Sequence, residues 1–195
     1  MRCNLNSDII VKMAADIADK EGLSNLTLTN IAKSLNIKKQ SLYNHIRNIA
    51  HLKCLLIIYA NMHLREHLAE TAIGKSKDIA VIDVANAYRQ FAHNFPGQYQ
   101  AIISLSWEYR DNDEFQQATK SLMDVLFKVL APYDLHDEAL IHAVRGFRSI
   151  MHGFVSLESA NWFHKPLAKQ ESYLLLIQTF INGLANAKKS NEGGN

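Results

Sequence analysis

The sequence predicts an all-α protein of about nine helices, with a small three-helix unit at the N-terminus ahead of a larger helical portion. Three observations point there. Apolar residues recur at three- and four-residue spacing along nearly the whole chain, and no strand-like alternation runs for a useful length. Glycine, proline and asparagine fall between the periodic stretches rather than inside them. The composition, 48% hydrophobic and 21% charged over 195 residues, is that of an ordinary globular chain. It excludes a disordered tail, and 8 Gly with 3 Pro exclude collagen-like repeats.

The elements follow in order. A first helix carries Ile9, Ile10, Met13, Ala14, Ile17 and Ala18 on one face, with Ser7 or Asp8 as N-cap and Gly22 as its stop. Thr27 caps a short second helix bearing Leu28, Ile31, Ala32 and Leu35. Asn36 suits the left-handed residue of a tight turn, because Asn tolerates positive φ better than most residues. A third short helix is expected over residues 38–45. A long helix then runs over about 49–73, and Gly74 breaks it. Further helices are expected at about 78–94, 97–109, 112–131, 136–160 and 168–188, with Pro96, Pro132 and Pro166 at boundaries. The polar tail from Lys188 is expected to fray.

The longest unbroken apolar run, residues 54–60, is far short of the roughly 20 residues of a membrane span. The first residues lack the apolar core of a secretory signal. Cys3 and Cys54 are distant in sequence and fit no metal-binding or redox spacing, so a reducing, cytoplasmic location is expected, with no cofactor and no membrane partner.

The net charge of +2 hides an asymmetry. Residues 1–52 carry seven basic and four acidic side chains. Residues 22–53 carry five basic ones, Lys33, Lys38, Lys39, Arg47 and Lys53, and no acidic one. Such a concentration is the footprint of a phosphate-binding surface, or else a solvated basic face with no partner.

The arrangement inside this stretch favours the first reading. A short helix, a tight turn and a second short helix make a helix-turn-helix. The second helix must present polar side chains to a groove about 12 Å wide. Lys39, Gln40, Tyr43 and Asn44 are its outward candidates, while Leu42 and Ile46 point to the core. Gln and Asn pair bidentately with adenine, and Lys donates to guanine. Thr27, Tyr43, His45 and Lys53 are candidates to hold phosphates and fix the register. With Lys38 and Ser41 from the same helix, these residues form the expected DNA-binding set.

The run Asn30-Ile31-Ala32-Lys33-Ser34-Leu35-Asn36-Ile37-Lys38-Lys39-Gln40-Ser41-Leu42-Tyr43-Asn44-His45-Ile46-Arg47-Asn48 resembles the DNA-binding segment of the TetR family of bacterial repressors. Its Ile-Ala before the turn and its Leu-Tyr-x-His are the distinctive parts. Phe95-Pro96-Gly97-Gln98-Tyr99 and residues 149–158 are similar to the C-terminal domain of the family's Trp-His-Gly branch, with Met151 where that name has Trp. This sequence departs from the pattern in four places. Asn36 replaces the usual turn Gly, Lys38 a capping Ser or Thr, and Gln40 a small residue. Ile49 stands where the family often has a phosphate-contacting Lys, for which Lys53 or His51 are the substitutes.

The resemblance implies a DNA-binding domain over 1–52 and a ligand-binding and dimerisation domain over 53–195. It implies a homodimer on a near-palindromic double-stranded operator, a small-molecule effector, and a repressor rather than an enzyme. It also implies an effector cavity framed by the long helix and those after it, for which Tyr59, Met62, His63, Phe91, Trp107, Phe147, Met151 and His152 are candidates. Two apolar arcs support dimerisation, one from Leu140 to Glu158 and one from Leu167 to Leu184, because both cannot face one small core.

Two other patterns weigh less. His63-Leu64-Arg65-Glu66-His67 matches the H-x-x-E-H zinc-protease pattern, so a small metal-dependent hydrolase using His63, Glu66 and His67 is the alternative. No third ligand stands at a recognisable spacing, and no metal or catalytic residue is expected. Residues 69–76 come one glycine short of a phosphate loop, but a helix precedes them where a strand is needed.

Overall fold

The computed structural model describes residues 5–192, the side chains of 186–192 excepted. Arg2, Cys3 and the last three residues of the expected tail lie outside the described residues. Among the described residues the elements are α1 (Ser7–Glu21), α2 (Leu28–Ser34), α3 (Lys39–Leu42), α4 (Ile49–Ala72), α5 (Lys77–Asn94), α6 (Pro96–Leu105), α7 (Asp113–Leu130), α8 (Asp137–Ser159) and α9 (Lys169–Glu192). Three short 3₁₀ turns join some of them, and no strand is present among these residues. The backbone of α9 stays helical five residues into the expected tail, through Glu192. No helix among the described residues is long and apolar enough to cross a membrane.

The cap of α1 lies one residue earlier than the sequence suggests. Asn6 is extended, and its Oδ1 accepts the Ile9 N–H at 2.9 Å, while Ser7 is already helical. Gly22 closes α1 at φ +86, where an L side chain is strained, and donates its N–H to the Ala18 carbonyl.

The chain packs as two compact units. One comprises residues up to Arg65 together with Phe91–Leu122; the other comprises Glu66–Gln90 and the residues from Met123 onward. In the first unit, Ile10, Ile17, Leu26, Ile31, Leu42, Ile46, Leu52, Leu56 and Ile57 form one apolar core with Ala101 and Phe115. Burying each large aliphatic side chain contributes about 1.5–3 kcal/mol. Pro96 starts α6 at the first helical position, where its missing N–H costs nothing. Gly97 then sits against the backbone at the end of α1. A Cβ there would lie 2.0 Å from the Ala18 carbonyl carbon, 2.1 Å from its oxygen and 2.5 Å from the Asp19 nitrogen. Only glycine allows this approach.

In the second unit, Val144, Phe147, Met151 and Val155 of α8 pack in a core with Tyr173, Ile177, Ile181 and Leu184 of α9. Phe147 stacks on Phe180 at 5.4 Å between ring centroids. Most of the two apolar arcs is thus taken up inside the subunit, and Leu157, Leu167 and Leu175 remain exposed. Glu158, expected on the arc, instead accepts two hydrogen bonds from Arg89, at 2.7 and 2.6 Å. The same guanidinium donates to Gln170 and lies over the Phe154 and Tyr173 rings.

Tyr173 is fully buried and donates its hydroxyl proton to the Ala85 carbonyl at 2.7 Å. Burial pushes its phenol above the usual value near 10, and burial with the Asp78 hydrogen bond does the same for Tyr133. The folded chain therefore holds protons that the unfolded chain releases first. Stability from these groups is fully present below about pH 10 and falls as the pH rises above it. Urea midpoints measured at successive alkaline pH values are expected to drop, and Tyr173→Phe is expected to flatten that drop. A midpoint independent of pH in this range, or the same slope in the variant, would contradict the assignment.

Candidate nucleic-acid interface

The interface starts from a tightly specified turn. Thr27 Oγ1 accepts the Asn30 N–H at 3.1 Å and caps α2 as expected. The Asn30 side chain donates to the Asn25 carbonyl at 2.8 Å, tying the entry loop to the helix. At the other end, Asn36 takes φ +52. Its N–H donates to the Lys33 carbonyl, and the Ile37 N–H donates to the Ala32 carbonyl at 2.9 Å. This paired closure is a Schellman motif, normally built on glycine. Ile37 is partly buried against the core that holds Ile31 and Ala32.

The recognition segment is shorter than the sequence suggests. Regular helix covers only Lys39–Leu42, with Lys38 at the N-cap without a side-chain cap. Residues 43–45 continue as turns, with the His45 and Ile46 N–H groups both donating to the Leu42 carbonyl. Leu42 and Ile46 are fully buried and fix the segment to the core. Lys38, Lys39, Gln40, Tyr43 and Asn44 are exposed, and no described residue occupies their side chains with a hydrogen bond or ion pair. Ser41, His45 and Lys53 are half-buried, and Thr27 is exposed. A surface that leaves donors and acceptors unused on a rigid backing is suited to take up a polar partner.

The start of α4, where Ile49 stands, is closed by a local cap. Asn48 Oδ1 accepts the His51 N–H at 2.8 Å, and His51 Nδ1 accepts the Arg47 N–H at 3.2 Å. This reciprocal cap is a variant of the capping box. With Nδ1 accepting, a neutral His51 carries its proton on Nε2 and keeps a donor to offer. Asn48 was not singled out from the sequence; an Asn three residues before a His, just ahead of an apolar run, was the available signal. Tyr109 donates to the Ala50 carbonyl at 2.9 Å and holds this first turn.

The effector-site candidates fall in both units. Tyr59, His63, Phe91 and Phe95 form an aromatic cluster in the first, with His63 at 4.5 Å from the Phe95 ring and 5.2 Å from Phe91. Met62 is half-buried nearby in sequence. Trp107 departs from the expected pocket role. Its ring is 74% exposed and carries the Arg110 guanidinium 4.0 Å above it, because the segment beyond α6 tightens into a surface 3₁₀ turn. In the second unit, Phe147 and Met151 are fully buried core residues. His152 is half-buried, and burial together with Arg148 holds its imidazole below the usual range.

His63 also has a task the sequence did not announce. Gln98 is almost fully buried; its Nε2 donates to Asp19 Oδ2 at 2.7 Å, and its backbone N–H donates to Asp19 Oδ1 at 2.9 Å. That orientation turns Gln98 Oε1 toward His63 Nδ1 at 2.9 Å, so His63 donates there. The relay joins α1, α6 and α4. Among the described residues no three His, Cys, Asp or Glu side chains converge to hold a metal ion.

Comparison with known proteins places this geometry. Residues 81–180 match the family model described as a tetracyclin repressor-like C-terminal domain. The chain is 31% identical over 184 residues to YobS, an uncharacterized HTH-type transcriptional regulator of Bacillus subtilis, covering 94% of each. It is 34% identical over 154 residues to Rv0681, an uncharacterized HTH-type transcriptional regulator of Mycobacterium tuberculosis, covering 79% of this chain and 70% of that one. Its fold is similar to that of ActR of Streptomyces coelicolor in complex with (S)-DNPA, with TM-score 0.61 at 18% identity, covering 95% of this chain and 99% of that one.

Proposed function

Since this chain belongs to the TetR family of helix-turn-helix transcriptional regulators, we propose that it is a repressor, binding a near-palindromic operator as a homodimer and released by a small-molecule effector. The family's members are DNA-binding regulators, not enzymes, so the hydrolase built on His63, Glu66 and His67 is set aside. One observation carries the docking. Lys38, Lys39, Gln40, Tyr43 and Asn44 stand exposed and internally unpartnered over the buried anchors Leu42 and Ile46, in a segment with five cations and no anion. In this reading residues 1–52 dock and residues 53–195 bind ligand and dimerise. Lys39, Gln40 and Asn44 read bases. Thr27, Lys38, Ser41, Tyr43, His45 and Lys53 hold the backbone, with His51 beside them. Two such segments must meet one face of the duplex about 34–36 Å apart.

Release by an effector is supported by the ActR complex with (S)-DNPA, a small molecule held by a protein of this fold. The effector can act only by its differential affinity for the two conformations. Tyr59, Met62, His63 and Phe91 remain the candidates in the first unit, with His152 in the second.

Selection of bound sites from random duplexes, followed by titration of the winning site, tests the docking. A site with two half-sites in inverted repeat is expected, with affinity that falls steeply as salt is added because the lysines release counterions. Tyr43→Ala is expected to weaken operator binding by about 1–3 kcal/mol, or roughly fivefold to 150-fold, with thermal unfolding unchanged because the ring is exposed. Unaltered operator affinity in this variant would place the interface elsewhere.

A further inference from the structure

A cavity of about 280 Å³ opens in the second unit, where the end of α8, the connection after it and the start of α9 meet. None of the effector-site candidates from the sequence lines it. Its walls are aromatic: Phe154 and Phe163, 4.9 Å apart between ring centroids, with Trp162 beside them. Apart from Ser172, its polar lining is basic. His164, Lys165 and Lys169 all reach it, and no carboxylate does. None of the three forms an ion pair with a described residue, and the nearby Glu158 is taken up by Arg89. An apolar cleft with a few convergent charges of one sign is the usual form of a small-molecule site, and this volume lies just below the usual range of about 300–1,000 Å³.

We propose that this cleft binds a small amphiphilic carboxylate, with its apolar body against Phe154, Trp162 and Phe163 and its anionic head between Lys165, Lys169 and His164. A neutral ligand would leave the cations unused, and a cationic one would be repelled. A purely hydrophilic anion would forgo the aromatic walls. The site stands on the geometry of this one unit. That its ligand acts as the effector rests on the regulatory reading above.

Trp162 supplies the readout. The chain has 2 Trp, so Trp107→Phe leaves Trp162 as the sole reporter. The full-length variant is titrated with sodium decanoate, below its micelle concentration, and separately with decan-1-ol. A saturable change in Trp162 emission with decanoate is expected, with the alcohol about tenfold weaker or more, as the loss of a charge-assisted contact implies. Lys165→Glu with Lys169→Glu is expected to weaken decanoate by at least about tenfold. The gentler pair Lys165→Gln with Lys169→Gln is expected to weaken it in the same direction, with both pairs melting as the parent does. No saturable change, equal affinity for alcohol and acid, or unaltered binding in both pairs would overturn the site. So would an emission change that follows protein concentration instead of decanoate, which would assign the cleft to a second copy of the chain. Decanoate is then added to the protein on its selected duplex. Loss of the complex supports the effector role. Binding at Trp162 with no effect on the duplex complex overturns that role and supports the site alone. Decanoate binding by a protein that selects no duplex supports the site and overturns the repressor reading.

Discussion

Replacing Gly97 with alanine is expected to destabilise the protein by about 3 kcal/mol or more, a loss on the scale of severe overpacking. The added carbon would overlap the Ala18 carbonyl and the Asp19 nitrogen, which are backbone atoms and cannot swing aside. Relief requires α6 to withdraw from α1, which would also stretch the two hydrogen bonds between Asp19 and Gln98. For a chain of this size the melting temperature is expected to fall by roughly 6–12 °C. Calorimetry on the purified variant checks it, and a shift of under a degree or two would mean that this approach is looser than described. Operator affinity measured well below the melting point is expected to fall as well, because α1 backs the core in which Leu42 and Ile46 are anchored.

Glu158→Ala should cost a similar amount for an electrostatic reason. Arg89 is largely buried and loses both carboxylate contacts, which leaves a guanidinium with the Gln170 side chain and two aromatic faces. Breaking a buried pair from one side typically costs about 3–5 kcal/mol, because the remaining charge is uncompensated. Removing both charges together, as Arg89→Met with Glu158→Leu, should restore most of the loss. Urea denaturation of the three proteins gives the comparison. If the double variant is as unstable as the single, the cost belongs to packing and not to the stranded charge.

The sequence carried what is local. Thr27 as a cap, Asn36 as the left-handed residue, Gly22 as a stop and the bounds of the long helix all follow from interactions within a few residues, and the structure has each of them. The cap at Asn6 and the brevity of α3 turn on single backbone torsions, which periodicity does not report. What stayed hidden depends on distant partners. The Asp19–Gln98–His63 relay joins residues 79 and 35 positions apart, and no spacing rule predicts it. Gly97 was visible as part of a family-like string, but its physical reason, a second helix lying on its α-carbon, was not. The cleft after α8 escaped because residues 160–168 are irregular, and irregular backbone leaves no apolar rhythm to read.

A docking head that carries cations at positions 33, 38, 39, 47 and 53 and no anion between them has no electrostatic means of refusing an incorrect sequence. Docked as proposed, it is expected to adhere loosely to any duplex, so molecules in a cell would spend most of their time on irrelevant stretches of the chromosome, sliding and hopping rather than free in solution. Occupancy of the right address then depends on how many competing addresses exist as much as on the strength of the correct contact. Lowering that background affinity, rather than raising the specific one, is the more direct way to make such a regulator more selective.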